Sequence, residues 1–386
     1  MKICVYAICK NESKFVKQWL DNMQEADYIV VMDTGSTDGT YKMLKEDPRV
    51  TRVEKKIIKP WRFDVARNES MKLIPDDADV LVCTDFDELF EPGWADVIRA
   101  RWKDETTRMF YTYAWSHNEN GEPQDVFKYD KIHNRDYRWI FPVHEVLWPI
   151  DENKHQYIED VGTDIYLHHY PDKDKQRGYY FDLLKKSVEE NPEDSHVRML
   201  YARELIVRNE MDEAIEEFKA VLDMPDVNEP ERKEVLLNSL LQLAFLYQQK
   251  GDIEETLWYC EEFIKENPTY REPYLLMAET YNNIGIYTLA EACVEAAKKY
   301  TYQHYSWVER ARTYTNWLED VESICKYNLG EYQEAVRLGN AALLHEPNDD
   351  RLIKNQYLYL SKYCEQLENK ILEYENQPQE IIPVLE

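Results

Sequence analysis

A short acidic segment follows an apolar run near residue 85. The run "VLVC" at residues 80–83 is typical of a buried strand, and Asp85, Phe86 and Asp87 come directly after it. In an extended segment alternate side chains share one side, so both carboxylates would face away from Phe86. Such a pair suits Mg²⁺ or Mn²⁺ shared with a diphosphate, because these ions take most of their ligands from phosphate and water. Alone the pattern is a weak signal, since acidic loops often produce it.

Two further motifs precede this acidic pair. In "VMDTGSTDGT" a strand delivers Asp33 to its end, and the small residues after it allow a tight turn into a helix. In "KPWRFDVARNES" a helix begins before Arg67, whose side chain could meet a phosphate or form a surface ion pair. Ligands bind at the carboxyl ends of strands in parallel sheets, and Asp33 and Asp85 both lie at such ends.

The first part of the chain alternates between strand-like and helix-like stretches. Three strand-like runs, "KICVYAIC", "DYIVVMD" and "ADVLVCTD", are separated by "SKFVKQWLDNM" and "TDGTYKMLKE", which have helical character. Alternating strands and helices predict a mainly parallel sheet that is covered by helices.

From about residue 190 the pattern is helical and repeats. Ala244, Tyr247 and Gly251 recur 34 residues later as Ala278, Tyr281 and Gly285. This is the tetratricopeptide period, in which small residues let paired helices approach and Gly or Asn turns the chain between them. We therefore predict a helical-repeat array whose concave surface binds a partner or mediates dimerisation.

Composition narrows the class of protein. The net charge of −28 is uneven: residues 1–190 carry 28 basic and 37 acidic groups, whereas residues 191–386 carry 19 and 38. Such a surface makes nucleic acid a poor partner, although a basic peptide would be attracted. The seven cysteines lack CxxC spacing, and no apolar run is long enough to span a membrane. We expect reduced cysteines and a cytoplasmic protein without a signal peptide.

The motifs "ICKNE", "DTGSTDGT", "FDVARNES" and "VCTDFDE", in this order, resemble the nucleotide-binding half of GT-A family 2 glycosyltransferases. With the repeats, the chain is similar to the bacterial and phage subgroup that includes the peptide S-glycosyltransferases of glycosylated bacteriocins. The resemblance implies an α/β, Rossmann-like GT-A domain over residues 1–175 and a linking helix over 176–194. An all-α tetratricopeptide array over 195–362 and a C-terminal helix or tail over 363–386 would follow.

The resemblance also implies roles for matching positions. The first strand and its loop would line the nucleoside, the end of the second strand would contact base or ribose, and the helix arginine would lie near the phosphates. Asp85 and Asp87 match the metal-binding DxD motif, with Mn²⁺ or Mg²⁺ as the ion. Many relatives read "DDGS" where this chain has "DTGS", so UDP as the nucleotide is an inference. The residues predicted to bind the nucleotide-sugar are Ala7, Cys9, Asn11, Asp33, Arg67 and Asp85, together with Lys175 and Arg177 of a later segment.

Two later segments resemble those that follow the DxD motif in the repeat-bearing subgroup. In "VHE", Glu145 is a candidate general base in an apolar setting, or else a buried partner for an arginine such as Arg138. Asp125, Asp130 and Asp136 compete for that role but are expected to be exposed. In "YLHHYPDKDKQR", His169 could complete the metal shell, and because His168 alternates with it along a strand, one of the two is expected to face away. Lys173, Lys175 and Arg177 could form a lid over the diphosphate or a solvated charge run.

The leading hypothesis is a metal-dependent, inverting glycosyltransferase of the hexosyltransferase class. It would move a sugar from a nucleotide-sugar, UDP-linked by inference, to a peptide or protein, with a homodimer formed through the repeats. One alternative keeps the donor but makes a saccharide or modified nucleic acid the acceptor. Another is an adaptor that has lost activity and acts through its repeats.

Overall fold

The computed structural model describes residues 1–118, 120–172, 178, 180–304, 306, 308 and 310–376. They form two compact units, one made mainly of residues up to 235 and the other of residues from 236 onward. The first unit extends past residue 175, because three helices after that point belong to it. Each unit is described by itself below.

Nine strands of the first unit form one sheet, and two more form a separate hairpin. In the sheet the strand order is β3-β2-β1-β4-β7-β6-β11-β5, with β10 paired to β6. The pairs among β1 to β4 are parallel, whereas β7 is antiparallel to both β4 and β6. Strands β8 and β9 form the antiparallel hairpin. The strands are β1 (Ile3–Cys9), β2 (Tyr28–Asp33), β3 (Arg52–Lys55), β4 (Val80–Cys83), β5 (Glu88–Phe90), β6 (Arg108–Ala114), β7 (Val126–His133), β8 (Tyr137–Ile140), β9 (Val146–Pro149), β10 (Ile158–Asp160) and β11 (Tyr166–His169).

Alternate residues of the central strands pack on two opposite faces of the sheet. Ile3 and Val5 of β1 lie in one cluster with Trp19, whereas Cys4 and Tyr6 lie in another with residues of the β8-β9 hairpin. This alternation explains why β1 reads as a continuous apolar run, since both faces are covered. The predicted α/β layering is confirmed. The helices of this unit are α1 (Val16–Met23), α2 (Thr40–Glu46), α3 (Phe63–Met71), α4 (Trp94–Arg101), α5 (Tyr180–Glu190), α6 (Ser195–Val207) and α7 (Met211–Leu222).

A series of buried hydrogen bonds connects β7 to the β8-β9 hairpin. The indole of Trp139 donates to the Tyr6 hydroxyl at 2.9 Å, and that hydroxyl lies 2.7 Å from Nε2 of His133. The other ring nitrogen of His133 lies 2.6 Å from the carbonyl oxygen of Asn134. Burial lowers the pKa of His133 to about 4, against the opposing effect of the Asn134 carbonyl and with help from Arg108. The imidazole is therefore neutral in the folded protein near pH 7.

This histidine makes folding sensitive to acid. Between pH 6.5 and about 4 the unfolded chain binds a proton at His133 that the folded chain does not, so the free energy of unfolding falls as the pH falls. The difference in pKa corresponds to about 3 kcal/mol. Between pH 7 and pH 4 the free energy of unfolding, measured with urea, should fall in the wild type. We expect it to fall by about 3 kcal/mol less in His133→Gln. Equal losses in both proteins would show that His133 does not carry this acid sensitivity.

Consecutive helix pairs dominate the described part of the chain from α6 onward. Asn209, Gly251, Gly285 and Gly330 each join two paired helices, and all four have positive φ between 62° and 83°. Glycine and asparagine tolerate this left-handed backbone, which explains the landmark that repeats in the sequence. The prediction of tetratricopeptide-like repeats is confirmed. The remaining helices are α8 (Lys233–Lys250), α9 (Ile253–Glu266), α10 (Glu272–Asn283), α11 (Tyr287–Ala297), α12 (Trp317–Asn328), α13 (Tyr332–His345) and α14 (Asp350–Glu375).

Cysteine and membrane expectations can be compared with the described structure. All seven cysteines have free thiols, and only Cys364 is exposed. Among the described residues, no helix combines the length and apolar character needed to cross a bilayer.

Candidate active site

Hydrogen bonds between side chains and backbone stabilise the loop after β2 and connect it to the loop after β1. Asp33 ends β2, and its Oδ1 accepts from the amides of Gly35 and Ser36, both at 2.8 Å. Asn11, with φ of 60°, accepts from the Thr37 amide at 2.7 Å. Asp33 is completely buried, so its carboxylate shapes this loop. Its contact with base or ribose stays a prediction.

Two other residues predicted to line the nucleoside are part of the core. Ala7 and Cys9 are two residues apart on β1, so they share one face of the strand and pack in the same cluster as Trp19. Burial, with the charge of Asp33 nearby, raises the pKa of the Cys9 thiol well above its ordinary value. Their side chains support the strand beneath the loop, so a nucleoside contact from this region would fall to the loop itself.

Arg67 of α3 lies at the centre of the site and is almost fully buried. Its Nη2 donates to both carboxylate oxygens of Asp85 at 2.9 and 3.0 Å, and its Nε donates to Glu145 at 2.5 Å. The guanidinium also lies over the Trp139 ring, 5.3 Å from its centroid. Burial lowers the pKa of Arg67, but the charges of Asp85 and Glu145, with the Cys83 thiol, together outweigh burial and raise that pKa above its usual range. Arg67 thus bridges the DxD segment and the "VHE" segment.

A second buried cation lies on the other side of Asp85. Lys131 of β7 places its Nζ 3.3 Å from Asp85 and 3.4 Å from Glu88, which is itself buried. Burial raises the pKa of Asp85, but Arg67 and Lys131 outweigh it and hold that pKa well below its ordinary value. For Glu88, burial dominates and its pKa is raised. Sequence reasoning missed Lys131, because the strand "VFKYDKIH" carries two lysines, Lys128 and Lys131, and only the fold shows which of them is buried.

The DxD segment is a turn, which corrects the predicted extended geometry. β4 ends at Cys83, and the amide of Glu88 donates to the Asp85 carbonyl at 3.1 Å, which closes a tight turn before β5. Phe86 does face away as predicted, since its ring stacks on Trp19 with centroids 4.3 Å apart. Because of the turn, the two aspartates have different partners. The carboxylate of Asp85 pairs with Arg67 and Lys131, whereas Asp87 faces β11.

Asp87 and His169 form the part of the site best suited to a metal ion. Nε2 of His169 lies 3.5 Å from Oδ2 of Asp87, and Nδ1 lies 3.0 Å from the carbonyl oxygen of Trp115. A histidine that donates one ring N–H to a backbone carbonyl presents the other nitrogen as a ligand, as is usual in metal sites. His168 faces away, where its ring bonds His117 at 2.9 Å. Alternation along β11 therefore places His169, and not His168, beside Asp87.

The donor set fits a hard divalent ion that is shared with a diphosphate. The described residues contain no ready cluster of three or more His, Cys, Asp and Glu ligands. Asp87 and His169 would supply two protein ligands, and Asp85 lies close in the chain, so phosphate and water oxygens would complete the shell. This agrees with the preference of Mg²⁺ and Mn²⁺ for few protein ligands.

Glu145 is a buried partner of an arginine, which was one of its two predicted settings, whereas the three competing aspartates are placed differently from expectation. Glu145 is mostly buried and its arginine partner is Arg67, not Arg138, which is exposed. Asp125, Asp130 and Asp136 were expected to be exposed, yet all three are partly buried. Asp130 pairs with Arg108 at 2.9 Å, and burial raises the pKa of its carboxyl despite that partner. No carboxylate in this described set is free of a partner.

The predicted basic lid lies outside the described residues, which omit Lys173, Lys175 and Arg177. Nearby, Asp172 pairs with Lys14 at 2.6 Å, so the chain leaves β11 on the side of the loop that follows β1. The lid stays a prediction.

One cavity of about 400 Å³ lies next to α3 but does not include the DxD residues. It lies between α3, the β8-β9 hairpin and the end of α5, where Arg62 pairs with both Asp64 and Glu190. Trp139 lines this cavity and also packs against Arg67, so it separates the cavity from the charged cluster.

Comparison with known proteins identifies the domain that carries this cluster. Residues 4–144 match the family model described as glycosyl transferase family 2, which spans the DxD turn, Arg67 and Lys131. The N-terminal part of the chain is therefore similar to glycosyl transferase family 2. The match ends at His144, just before Glu145 and ahead of His169, so it does not cover those two residues. None of the curated proteins compared with this glycosyltransferase matches it.

Several solved structures resemble the chain in part. A tetratricopeptide repeat protein from Parabacteroides merdae is 17% identical over 52% of this chain and 73% of that one, with a TM-score of 0.37. A thermophilic repeat protein from Thermus thermophilus is 20% identical over 48% and 89%, with a TM-score of 0.32. A mutant O-GlcNAc transferase from Thermobaculum terrenum is 18% identical over 33% and 23%, with a TM-score of 0.29.

Proposed function

We propose that this glycosyltransferase is metal-dependent and inverting, with a nucleotide-sugar donor, a UDP-sugar in the first instance, and a peptide or protein acceptor. The observation that carries the proposal is the pairing of Asp87 with an oriented His169 beside the Asp85 and Arg67 ion pair. A carboxylate and an imidazole aimed at one point next to a buried guanidinium suit a diphosphate with its counter-ion.

Each group in the cluster has a proposed role. Asp87 and His169 hold Mn²⁺ or Mg²⁺, which supplies positive charge to the departing diphosphate when bound. Arg67 holds Asp85 in place and adds fixed positive charge near the phosphates. Inversion in a single displacement needs a base on the acceptor and no covalent nucleophile. Glu145, which contacts Arg67, is the proposed base.

The repeats are proposed to present the acceptor and to mediate homodimerisation. The residues from 191 onward carry 19 basic and 38 acidic groups, which favours a basic peptide over an acidic one. Tetratricopeptide-like arrays offer extended surfaces for such binding. The peptide acceptor rests on the resemblance and on this charge.

A thermal-shift screen of nucleotide-sugars tests the donor proposal. A ligand that binds only the folded protein at 100 times its Kd adds about 2.7 kcal/mol to the unfolding free energy, which raises the Tm. We expect UDP-sugars with Mn²⁺ to raise the Tm and EDTA to abolish most of that rise. A rise with GDP- or CMP-sugars alone would show that UDP is wrong while leaving a sugar donor in place.

The role of Glu145 can be separated from that of Asp130. We expect Glu145→Gln to lower kcat by roughly 10²–10⁴ for a hydroxyl acceptor, and less for a thiol, because a thiol is already partly ionised near pH 7. Donor affinity should be kept, and single-turnover transfer should be measured for Glu145→Gln and Asp130→Asn after each is checked for folding. Loss of transfer only in the Asp130 variant would make Glu145 a positioning partner of Arg67.

A further inference from the structure

The last helix carries an apolar stripe that the described part of the chain leaves uncovered. α14 packs on the preceding repeat through Leu352, Gln356 and Tyr359, which are buried. Next to this face lies a row of side chains, here called the α14 seam, whose non-cysteine members are 40% to 73% exposed. The α14 seam consists of Ile353, Tyr357, Leu360, Cys364, Leu367, Ile371 and Tyr374.

This exposure is unusual for the end of a repeat array. Terminal helices of such arrays generally have a polar outer face, because no further repeat covers them. Contiguous apolar surface of this kind on a water-exposed helix indicates a binding surface. The polar residues of α14 lie on its remaining faces, for example Lys362, Glu365 and Asn369. Leu358 and Leu372 are single exposed leucines outside the seam, so the seam is the continuous apolar row of the helix.

The spacing within the α14 seam indicates what covers it. Its members are alternately four and three residues apart from Ile353 to Tyr374, without interruption. This is the heptad pattern of a coiled coil, in which apolar residues every 3.5 positions keep one seam against a partner helix. A seam of this period is complementary to another helix with the same pattern, and not to a flat surface or an extended peptide.

The residues that flank the seam favour a copy of the same helix. Lys354 and Lys370 lie beside it with Glu368 and Glu375, so both signs of charge are present along its edges. Two copies of a chain with a net charge of −28 repel each other at long range, and association then needs local complementarity of this kind. We infer that α14 forms a two-helix coiled coil with α14 of a second copy through the α14 seam.

This inference deepens the proposed homodimer by naming its surface, and it does not depend on the metal or the donor. Light scattering after size exclusion, at micromolar concentration, is the test. The wild type should have twice the chain mass of 46.4 kDa, and Leu367→Glu should have the mass of one chain. Leu367 lies beyond Tyr359, the last buried residue of α14, so the substitution leaves the packing of the repeat intact. Circular dichroism should confirm unchanged helix content.

The matched control is Lys362→Glu, which places the same side chain on the polar face of the same helix and should remain a dimer. Thiol cross-linking adds a second measurement, since Cys364 is the one exposed cysteine and lies within the seam. A wild-type dimer that persists in Leu367→Glu would overturn the α14 seam but keep the homodimer. A monomeric wild type would overturn both.

Discussion

Asp87→Asn should abolish most metal-dependent sugar transfer while leaving the fold intact. The side chain keeps its size and its place in the turn, but it loses the charge that faces His169. Loss of one preorganised electrostatic contact at a reacting centre costs about 10²–10³ in kcat. Calorimetry should also show that Mn²⁺ no longer strengthens donor binding. Unchanged metal-dependent donor affinity in the variant would contradict the assignment of Asp87.

The paired histidines supply a matched control for this prediction. His168 and His169 are neighbours on β11, but only His169 faces Asp87, whereas His168 bonds His117. His169→Ala should weaken Mn²⁺-dependent donor binding by roughly 10-fold to 100-fold, in line with other changes around metal sites. His168→Ala should leave it near the wild-type value. Equal effects of the two substitutions would place the ion elsewhere.

Lys131→Met should produce the largest loss of stability of any single change in the cluster. Lys131 and Glu88 are both almost fully buried, and Asp85 completes the group. Removing one partner of a buried ion pair leaves an uncompensated charge, which costs about 3–5 kcal/mol. Urea unfolding, followed by tryptophan fluorescence, should show a transition shifted by that amount.

Two further variants decide whether charge is the cause. Lys128→Met removes a lysine from the same strand, but Lys128 is 40% exposed and pairs with Asp160 on the surface, so a loss below about 1 kcal/mol is expected. Adding Glu88→Gln to Lys131→Met should recover part of the lost stability, because the buried charge goes with it. If the double variant is less stable by the sum of both losses, the lysine acts through packing.

The sequence predicts those parts of the fold that depend on periodicity. Strand β1 and the repeats follow from local patterns, and the turn residues Asn209 and Gly251 adopt the left-handed backbone that their identity suggested. Alternation along β11 predicts that His168 and His169 face opposite sides, but it does not predict which of them faces Asp87. In each case a residue type recurs at a regular spacing, and that spacing is compatible with few backbone conformations.

The sequence does not predict contacts that depend on how distant segments meet. Lys131 lies 46 residues from Asp85, and the antiparallel β7 that carries it interrupts the expected parallel order. Glu145 reaches Arg67 because the β8-β9 hairpin lies against α3, which no local pattern indicates. The turn at Phe86 was missed because "CTDFDEL" has no Gly or Pro, and its aspartates, which also favour turns, were interpreted as metal ligands on an extended segment.

The most direct measurement of the central claim is hydrolysis of UDP-sugars by the purified protein in the presence of Mn²⁺. Family 2 transfer chemistry at the Asp87 and His169 site predicts slow, metal-dependent release of UDP and free sugar to water. This release should be lost in Asp87→Asn and restored in the wild type when Mn²⁺ is added after EDTA treatment. If a folded protein neither hydrolyses nor binds any nucleotide-sugar with Mn²⁺ or Mg²⁺, the domain is an inactive adaptor and the proposed function is wrong.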